Sequence, residues 1–443
     1  MLMRGLLFVC CAALLAAADL RVAVFRADAT PKLGQPLIWT TPAKVIKDPL
    51  WAKGVVIQSG GERVVLCAMD WCGIGNRTHD LFRRRLAEAA GTDAWHVALH
   101  TVHQHTAPYV DASAYDLLRE AGAPVLDFPD TALEELATRI ASAVRGATAR
   151  LESFDRVGVS TVRVERVASA RRLSGPDGKI VVRYSTSGKQ RGMAEAPEGE
   201  IDPYLRTVTL ARGKRALVRL HYYATHPQTF CCEGTVTGDI VGAAREAMER
   251  EEGVPQIYFT GAAGDVTVGK YNDGSPEARE RLTANLTGAL RRSAVQSKFG
   301  PAKDLRWTTT PLALPGKTTE VLDTTAPADL RYRQAISAAY ARRGEPLGVS
   351  ALRLGLVHIV HMPGEPMLEF QRYAIALRPG EFVALAGYGD IAPGYICTDR
   401  AFREGGYEPG ASNTIPGAED AVKAAIQRVF GGKKAPNPKG GGF

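Results

Sequence analysis

The segment that decides how this chain can fold and react is His100-Thr101-Val102-His103-Gln104-His105-Thr106-Ala107-Pro108. It contains three of the 9 histidines of the 443-residue chain. The preceding residues 95–99 have the pattern of a short buried strand, and side-chain direction repeats every second residue along a strand. A His-x-His pair at a strand end can therefore present both rings on one side, as metal ligands or acid–base groups. The alternative is a polar loop in which histidines happen to cluster.

Outward from this segment, strand and helix patterns alternate along the chain. Residues 54–58 with 63–69 and residues 206–210 with 216–223 predict hairpins, and residues 78–90 predict a helix that ends at Gly91. Further helices are predicted at 131–147, 241–250, 276–297, 366–376 and 418–429, and strands at 157–167, 256–259, 353–361 and 382–386. The sequence between residues 19 and 430 has no internal repeat and no linker. We therefore predict an α/β fold, one large domain with mixed β-sheets flanked by helices.

Polar, glycine-rich segments follow the C-terminal ends of apolar strands in this prediction. They are residues 100–108, 224–239, 260–274, 362–365 and 387–399. In open α/β sheets, sites assemble at this edge. We expect the functional site to lie in these strand-end loops.

The two ends of the chain have distinct patterns. Residues 1–18 combine a short basic start, an uncharged apolar run and Ala16-Ala17-Ala18, which together predict a signal peptide. An uncleaved anchor is the alternative. We expect residues 19–430 to form one folded domain and residues 431–443 a disordered basic tail. The protein is accordingly expected to be exported, to the periplasm or the medium.

Charge and cysteine content exclude some classes of function. The formal net charge is +8 and is spread along the chain, and a solvated helix face explains Arg83-Arg84-Arg85. We therefore expect no nucleic-acid partner, although peripheral contact with an anionic membrane is compatible with the charge. Five cysteines follow residue 18, which argues against a disulfide framework. Neighbouring cysteines such as Cys231 and Cys232 rarely bridge, so we interpret the five as small buried residues with at most one or two disulfides.

Metal-ligating residue types recur in the strand-end segments. A catalytic zinc site uses about three protein ligands and keeps a position open for water. His103, His105, His226 and Glu365 are candidates for these ligands. Each of the last two has a structural alternative. His226 precedes a proline and could close a turn, and Glu365 could be a helix N-terminal acid.

Taken together and in order, the segments resemble the N-terminal catalytic domain of the neutral/alkaline non-lysosomal ceramidase family. That family has a Thr-His-x-His-Ser/Thr-x-Pro segment, an Ala-x-His-Pro-Thr segment before Ser/Gly-Asp, Gly-Asp-Val-Ser-Pro, Pro-Gly-Glu, and a Tyr followed by Tyr-Glu-x-x-Ser. The matching segments here are Val102-His103-Gln104-His105-Thr106-Ala107-Pro108, Ala224-Thr225-His226-Pro227-Gln228-Thr229 with Gly238-Asp239, Gly264-Asp265-Val266-Thr267-Val268, Pro363-Gly364-Glu365, and Gly394-Tyr395 with Tyr407-Glu408-Pro409-Gly410-Ala411-Ser412. Five segments in the same order are fairly specific, whereas any one alone is weak.

The resemblance implies a ligand set and an activity. The zinc ligands that it implies are His103, His226, Glu365 and Tyr395. His105, Tyr407 and an arginine would line the scissile carbonyl, with Arg171 as the assigned arginine and Arg172 as the alternative. The implied reaction is hydrolysis of N-acylsphingosine, or of another lipid or small-molecule N-acyl amide, by zinc-activated water. This activity belongs to sphingolipid metabolism.

Some residues depart from the family pattern. Thr267 and Val268 stand where the family has Ser and Pro, which weakens any mechanism with a serine nucleophile. Resembling ceramidases have a further C-terminal β-sandwich domain, for which we expect no counterpart here. Asp70 and Asp265 end apolar strands, where they either support the ligands or cap the strand ends.

Three functional hypotheses remain at the level of sequence. An exported zinc-dependent amide hydrolase is the leading one. The second is a non-catalytic zinc-binding or sensor protein on the same fold, since fold does not fix function. The third is a hydrolase of a different bond, such as another small amide or ester or a phosphoester. For the phosphoester, the several aspartates of two-metal phosphatases are lacking.

Overall fold

The computed structural model of the chain describes residues 19–175, 177–317 and 322–432. The predicted signal peptide (1–18) and residues 433–443 of the predicted tail lie outside the described residues. Within the described ranges, none of the helices combines the length and the hydrophobicity needed to cross a bilayer.

Three mixed β-sheets form the centre of the molecule. The first sheet consists, in spatial order, of Val97–Thr101, Glu62–Met69, Trp51–Ser59, Leu20–Asp28 and Glu152–Ser153. The second consists of Gln256–Thr260, Arg215–Tyr223, Tyr204–Arg212, Arg156–Arg163 and Lys298–Pro301. The third consists of Leu305–Leu312, Leu347–Leu354, Val357–His361 and Phe382–Ala386. Shorter strand pairs are Val45–Ile46 with Thr235–Val236, Gly73–Ile74 with Tyr109–Val110, Ser169–Ala170 with Val266–Thr267, Arg172–Ser174 with Ile180–Val182, and Glu365–Pro366 with Tyr395–Ile396.

Helices cover the sheets and confirm the predicted α/β class. The helices are Asn76–Ala90, Ala112–Glu120, Asp130–Thr148, Arg191–Glu195, Asp239–Glu252, Pro276–Val295, Ala328–Ala341, Leu368–Ala376, Asp399–Glu404, Tyr407–Gly410 and Ala418–Val429, with 3₁₀ turns at Ile38–Thr40, Ala94–His96 and Ser187–Lys189. Alternation along one strand shows how the first sheet is buried on both faces. Val55 and Ile57 belong to the core shared with the second sheet, whereas Val56 belongs to the core under the helices.

Each large sheet ends in a parallel pair of strands. Glu62–Met69 runs parallel to Val97–Thr101, Arg215–Tyr223 to Gln256–Thr260, and Val357–His361 to Phe382–Ala386, whereas the other pairs within these sheets are antiparallel. Backbone hydrogen bonds tie the three parallel edges together. Thr101 N–H donates to the Tyr388 carbonyl at 2.8 Å, and Gly387 N–H donates to the Thr260 carbonyl at 2.9 Å. The strand-end segments that the sequence marked as polar therefore meet at one place.

Two predictions of local structure are wrong. Residues 353–361, predicted as one strand, are parts of two strands, because Gly355 adopts a positive φ of 63° and turns the chain back. Cys231 and Cys232, predicted not to bridge, are joined by a disulfide. Cys232 lies in the left-handed region at φ 71°, so the chain turns locally between the two cysteines.

Several buried histidines outside the metal-ligand candidates have lowered pKa values, because burial disfavours the charged ring. These are His79 (about 3), His100 (about 3), His221 (about 4) and His361 (well below 6.5). The unfolded chain protonates these rings near pH 6.5, whereas the folded chain keeps them neutral. Folding stability is therefore lost as the pH falls below 6.5.

We expect His361→Phe to reduce the loss of folding stability at acid pH. Both ring nitrogens of His361 lack a hydrogen-bond partner among the described residues, and its ring centroid lies 5.5 Å from that of Trp307. Removing one such histidine should reduce the slope of unfolding free energy against pH by up to about 1.4 kcal/mol per pH unit between pH 6 and 5. Urea denaturation of both proteins at several pH values measures the slope. Identical slopes would contradict the assignment of His361 as a neutral buried ring.

Candidate active site

Three of the four implied metal ligands meet where the parallel edges converge. His103 follows the strand Val97–Thr101, His226 follows Arg215–Tyr223, and Glu365 follows Val357–His361. Glu365 Oε2 lies 3.2 Å from His103 Nε2 and 3.0 Å from His226 Nε2. All three side chains are buried. Residues separated by more than 100 positions in sequence thus form one cluster at the strand ends.

Backbone carbonyls fix the orientation of both imidazoles. His103 Nδ1 lies 2.6 Å from the Cys72 carbonyl oxygen, and His226 Nδ1 lies 2.7 Å from the Ala263 carbonyl oxygen. A carbonyl oxygen only accepts hydrogen bonds, so each Nδ1 carries the proton and donates it. Each Nε2 of a neutral ring then presents a lone pair toward Glu365, which is the arrangement that metal-ligating histidines adopt.

The donor set fits a zinc ion. Two imidazole nitrogens and a carboxylate oxygen face each other in a buried site, and acceptor groups in such contact repel unless a positive charge lies among them. Burial opposes protonation of His103, but Cys72 and Glu365 raise its pKa, so positive charge is favoured where these side chains meet. Glu365 Oε2 lies 3.2 and 3.0 Å from the two Nε2 atoms, slightly closer than the about 3.3–3.6 Å between ligands bound to zinc at about 2.0–2.2 Å in a tetrahedron.

The fourth implied ligand, Tyr395, is brought beside Glu365 by a short parallel pairing. Glu365 is the register partner of Tyr395, and the Tyr395 hydroxyl oxygen lies 3.5 Å from His226 Nε2. Burial raises the pKa of Tyr395, and the positive charge of Arg171 partly lowers it. Glu365 itself lies in the two-residue strand Glu365–Pro366, ahead of the helix Leu368–Ala376. The alternative that it is simply a helix N-terminal acid therefore does not describe its position.

Of the two candidate arginines, Arg171 is the one directed into the site. Its Nη1 donates to the Tyr395 hydroxyl at 2.8 Å, and its guanidinium carbon lies 5.5 Å from the ring centroid of Tyr407. Arg172 instead donates to Glu408 Oε2 at 2.8 Å and to the Gly405 carbonyl at 2.7 Å. Arg171 lies at a bend between the short strands Ser169–Ala170 and Arg172–Ser174, whereas Arg172 is the first residue of the second strand, so the neighbouring arginines have different surroundings.

A cavity of about 310 Å³ opens above the cluster. His103, His105, Glu365, Tyr395 and Tyr407 contribute to its lining. His105 Nε2 lies 3.4 Å from His103 Nε2, while its Nδ1 has no hydrogen-bond partner in the described structure. Burial keeps the pKa of His105 well below 6.5, with His103 and His226 adding to the effect, so this ring is neutral at neutral pH. The cavity volume lies at the lower end of the range of small-molecule sites.

Three further residues singled out in the sequence lie behind the site. Thr267 is fully buried, pairs with His226 through a backbone bridge and does not line the cavity. Asp70 forms a buried ion pair with Arg245. Asp265 Oδ1 accepts a hydrogen bond from Leu368 N–H at 2.8 Å, so it caps the helix Leu368–Ala376. Asp70 and Asp265 therefore contact structural partners rather than His103, His226 or Glu365.

Sequence reasoning missed Tyr388. This residue is fully buried, with its ring centroid 4.3 Å from that of His103 and its hydroxyl 3.3 Å from His226 Nδ1. Tyr388 adopts φ 60° and His103 adopts φ 72°, which are uncommon for bulky residues and concentrate at functional sites. The only signal in the sequence was its place in the strand-end segment 387–399.

Comparison with solved structures supports the resemblance at the level of the fold. No family model and no curated protein matches the sequence. Among solved structures, neutral ceramidase from Pseudomonas aeruginosa is similar with a TM-score of 0.71 and 16% identity, over 95% of this chain and 77% of that one. A structure described as ceramidase complexed with C2 is similar with a TM-score of 0.70 and 14% identity, over the same shares of 95% and 77%. The resemblance predicted from five short segments is thus confirmed, and the chain has the fold of the neutral ceramidases.

Proposed function

We propose that the protein is an exported zinc-dependent hydrolase of N-acyl amide bonds, similar in reaction to neutral ceramidase. The observation that carries the proposal is the convergence of His103, His226 and Glu365 at the floor of a cavity. Two neutral imidazoles and one carboxylate bring a single negative charge, which leaves part of a zinc ion's charge uncompensated. When bound, zinc acts as a Lewis acid and lowers the pKa of a coordinated water toward about 7.

The chain's own residues supply proton transfer and charge stabilisation in this proposal. His105 borders the ligand cluster and is neutral, so it can take up a proton and pass it to the leaving amine. Burial raises the pKa of Tyr407 and outweighs Arg171, so its hydroxyl stays protonated and can donate to the amide oxygen. Arg171 keeps its proton and acts by its charge, which it directs at the Tyr395 hydroxyl.

The walls of the cavity support an acyl substrate. Apolar and aromatic side chains form much of the lining, including Ile38, Trp39, Tyr109, Leu330 and Ile336. Such surfaces bind hydrocarbon by removing it from water. A lipid or other N-acyl amide fits this composition better than a strongly polar molecule.

Two observations support export. Residues 1–18 have the composition of a signal peptide. The disulfide between Cys231 and Cys232 suits an oxidising compartment, where such bonds persist.

Thr267→Val should leave hydrolysis nearly unchanged. The Thr267 hydroxyl is buried, has no hydrogen-bond partner in the described residues and does not line the cavity. Valine keeps the branched shape, so we expect kcat/KM to change less than about threefold and stability to stay within about 1 kcal/mol. Steady-state kinetics on one N-acyl amide checks this. A loss of several orders of magnitude would instead point to Thr267 as a nucleophile.

The test of the proposed function is hydrolysis by purified full-length protein of a panel of N-acyl amines and acyl esters. We expect release of fatty acid from the amides, loss of turnover after chelation, and recovery when zinc is returned. A folded protein that binds zinc but hydrolyses no member of the panel would favour the non-catalytic binding protein. Turnover that survives complete removal of metal would refute zinc dependence.

A further inference from the structure

The walls of the active-site cavity have an uneven charge distribution. The described residues that line the cavity include two cations, Lys317 and Arg333, and a single acid, Glu365. Glu365 lies at the floor, where its carboxylate faces His103 and His226. Its negative charge is therefore directed at the ligand cluster, and the walls above it are positive.

Arg333 lies on the helix Ala328–Ala341, close to the groups proposed to act on substrate. Its guanidinium carbon lies 4.9 Å from the ring centroid of Trp39, and the Trp39 ring meets His105 edge-on with centroids 6.5 Å apart. Among the described residues, its one carboxylate contact is with Asp329 on the same helix, at 3.2 Å, between side chains that are 43% and 41% exposed. An exposed pair of this spacing holds an arginine only weakly.

Lys317 lies beside residues 407–413, which form another wall of the cavity. Its backbone N–H donates to the Asn413 carbonyl at 3.0 Å, and its Nζ contacts the Pro409 carbonyl at 3.5 Å. In the described parts of the chain, no carboxylate forms an ion pair with this ammonium group. Two cations from separate segments thus border one partly apolar cavity, where fields are less screened than in bulk water.

We propose that the natural substrate is an N-acyl compound that carries a carboxylate, of the N-acyl amino acid class, rather than an uncharged N-acyl amine. This inference rests on the proposed function. In this arrangement the acyl chain lies against Leu330 and Ile336, and Lys317 and Arg333 bind the carboxylate through charge-assisted hydrogen bonds. An uncharged substrate leaves both cations without a partner inside the cavity. It therefore binds less tightly than a substrate that carries a carboxylate.

The test compares N-dodecanoylglycine with N-dodecanoylethanolamine, which have the same chain and differ in charge at the far end. With full-length zinc-loaded protein, we expect kcat/KM to be at least about tenfold higher for the glycine conjugate. This preference should fall to near parity in Arg333→Gln and Lys317→Met. It should persist in Arg342→Gln, a control at an exposed arginine next to the same helix that does not line the cavity.

Equal rates on the two compounds, or a preference for the ethanolamide, would overturn the inference while leaving amide hydrolysis established. A preference that survives in both cavity variants would also overturn it. If neither compound is hydrolysed, the proposed function fails, and the same pair then serves as unreacted ligands in calorimetry. Tighter binding of the glycine conjugate by about tenfold would uphold the charge assignment in that case, and equal binding would refute it.

Discussion

His226→Ala is expected to lose bound zinc and amide hydrolysis together. His226 Nε2 lies 3.0 Å from Glu365 Oε2, and its Nδ1 is already bound to the Ala263 carbonyl. Alanine removes one of the converging donors and leaves the others too few to hold the ion. Loss of a group that only orients a ligand weakens a metal site about 10–100-fold, so loss of the ligand itself should exceed about 100-fold in zinc affinity. Zinc titration and turnover measured on the same preparations check this result.

A matched control separates loss of metal from loss of fold. His221 lies on the strand that leads to His226, is equally buried and hydrogen-bonds to Thr207 and Gln256 rather than to the cluster. His221→Gln should therefore keep zinc and turnover. Retention of zinc and activity in His226→Ala would contradict the ligand assignment. Loss of zinc from both variants would show that the measurement reports misfolding.

Arg245→Met should strongly destabilise the folded chain. Arg245 donates to both carboxylate oxygens of Asp70 at 2.7 Å, and the two side chains are 1% and 2% exposed. The pair joins the helix Asp239–Glu252 to the end of a first-sheet strand. Methionine leaves the Asp70 carboxylate buried without its partner, and breaking such a pair costs about 3–5 kcal/mol. Urea denaturation measures the change in the free energy of unfolding.

The surface pair of Arg291 and Glu251 is the natural control. Its geometry is similar, with contacts of 2.7 and 2.6 Å, but its side chains are 52% and 45% exposed. Arg291→Met should cost less than about 1 kcal/mol, because water solvates the freed charge. Asp70→Asn combined with Arg245→Met should recover much of the loss, since no buried charge remains. Equal losses in the two single variants would contradict the account.

Some of the site could be predicted from the sequence because its ligands follow strand ends. Strand alternation and glycine-rich breaks marked residues 100–108, 224–239 and 362–365, and parallel pairing then gathers them at one edge. The choice between Arg171 and Arg172 could not be made, since it depends on the bend at Arg171 between two short strands, which the sequence pattern does not show. Tyr388 had no distinguishing motif among the 14 tyrosines of the chain. Its role depends on contacts with rings that are distant in sequence.

The substrate side of the site was beyond prediction. One wall comes from the helix Ala328–Ala341, which was not predicted because much of its buried face is alanine and gives a weak apolar pattern. Another comes from Ile38 and Trp39, where Trp39 adopts a positive φ of 56°. Neither segment has a motif, and both reach the cavity only through tertiary packing. The candidate metal ligands were therefore easier to predict from the sequence than the residues that line the substrate side of the cavity.

The metal content of the purified wild-type protein tests the central claim most directly. His103, His226 and Glu365 converge as a group that could hold a metal ion, and imidazole and carboxylate are among the ligands that zinc takes in proteins. Elemental analysis of folded full-length protein, after dialysis against metal-free buffer, should find close to one zinc ion per chain. A folded protein that contains no zinc, and that binds none when zinc is added, would contradict the account.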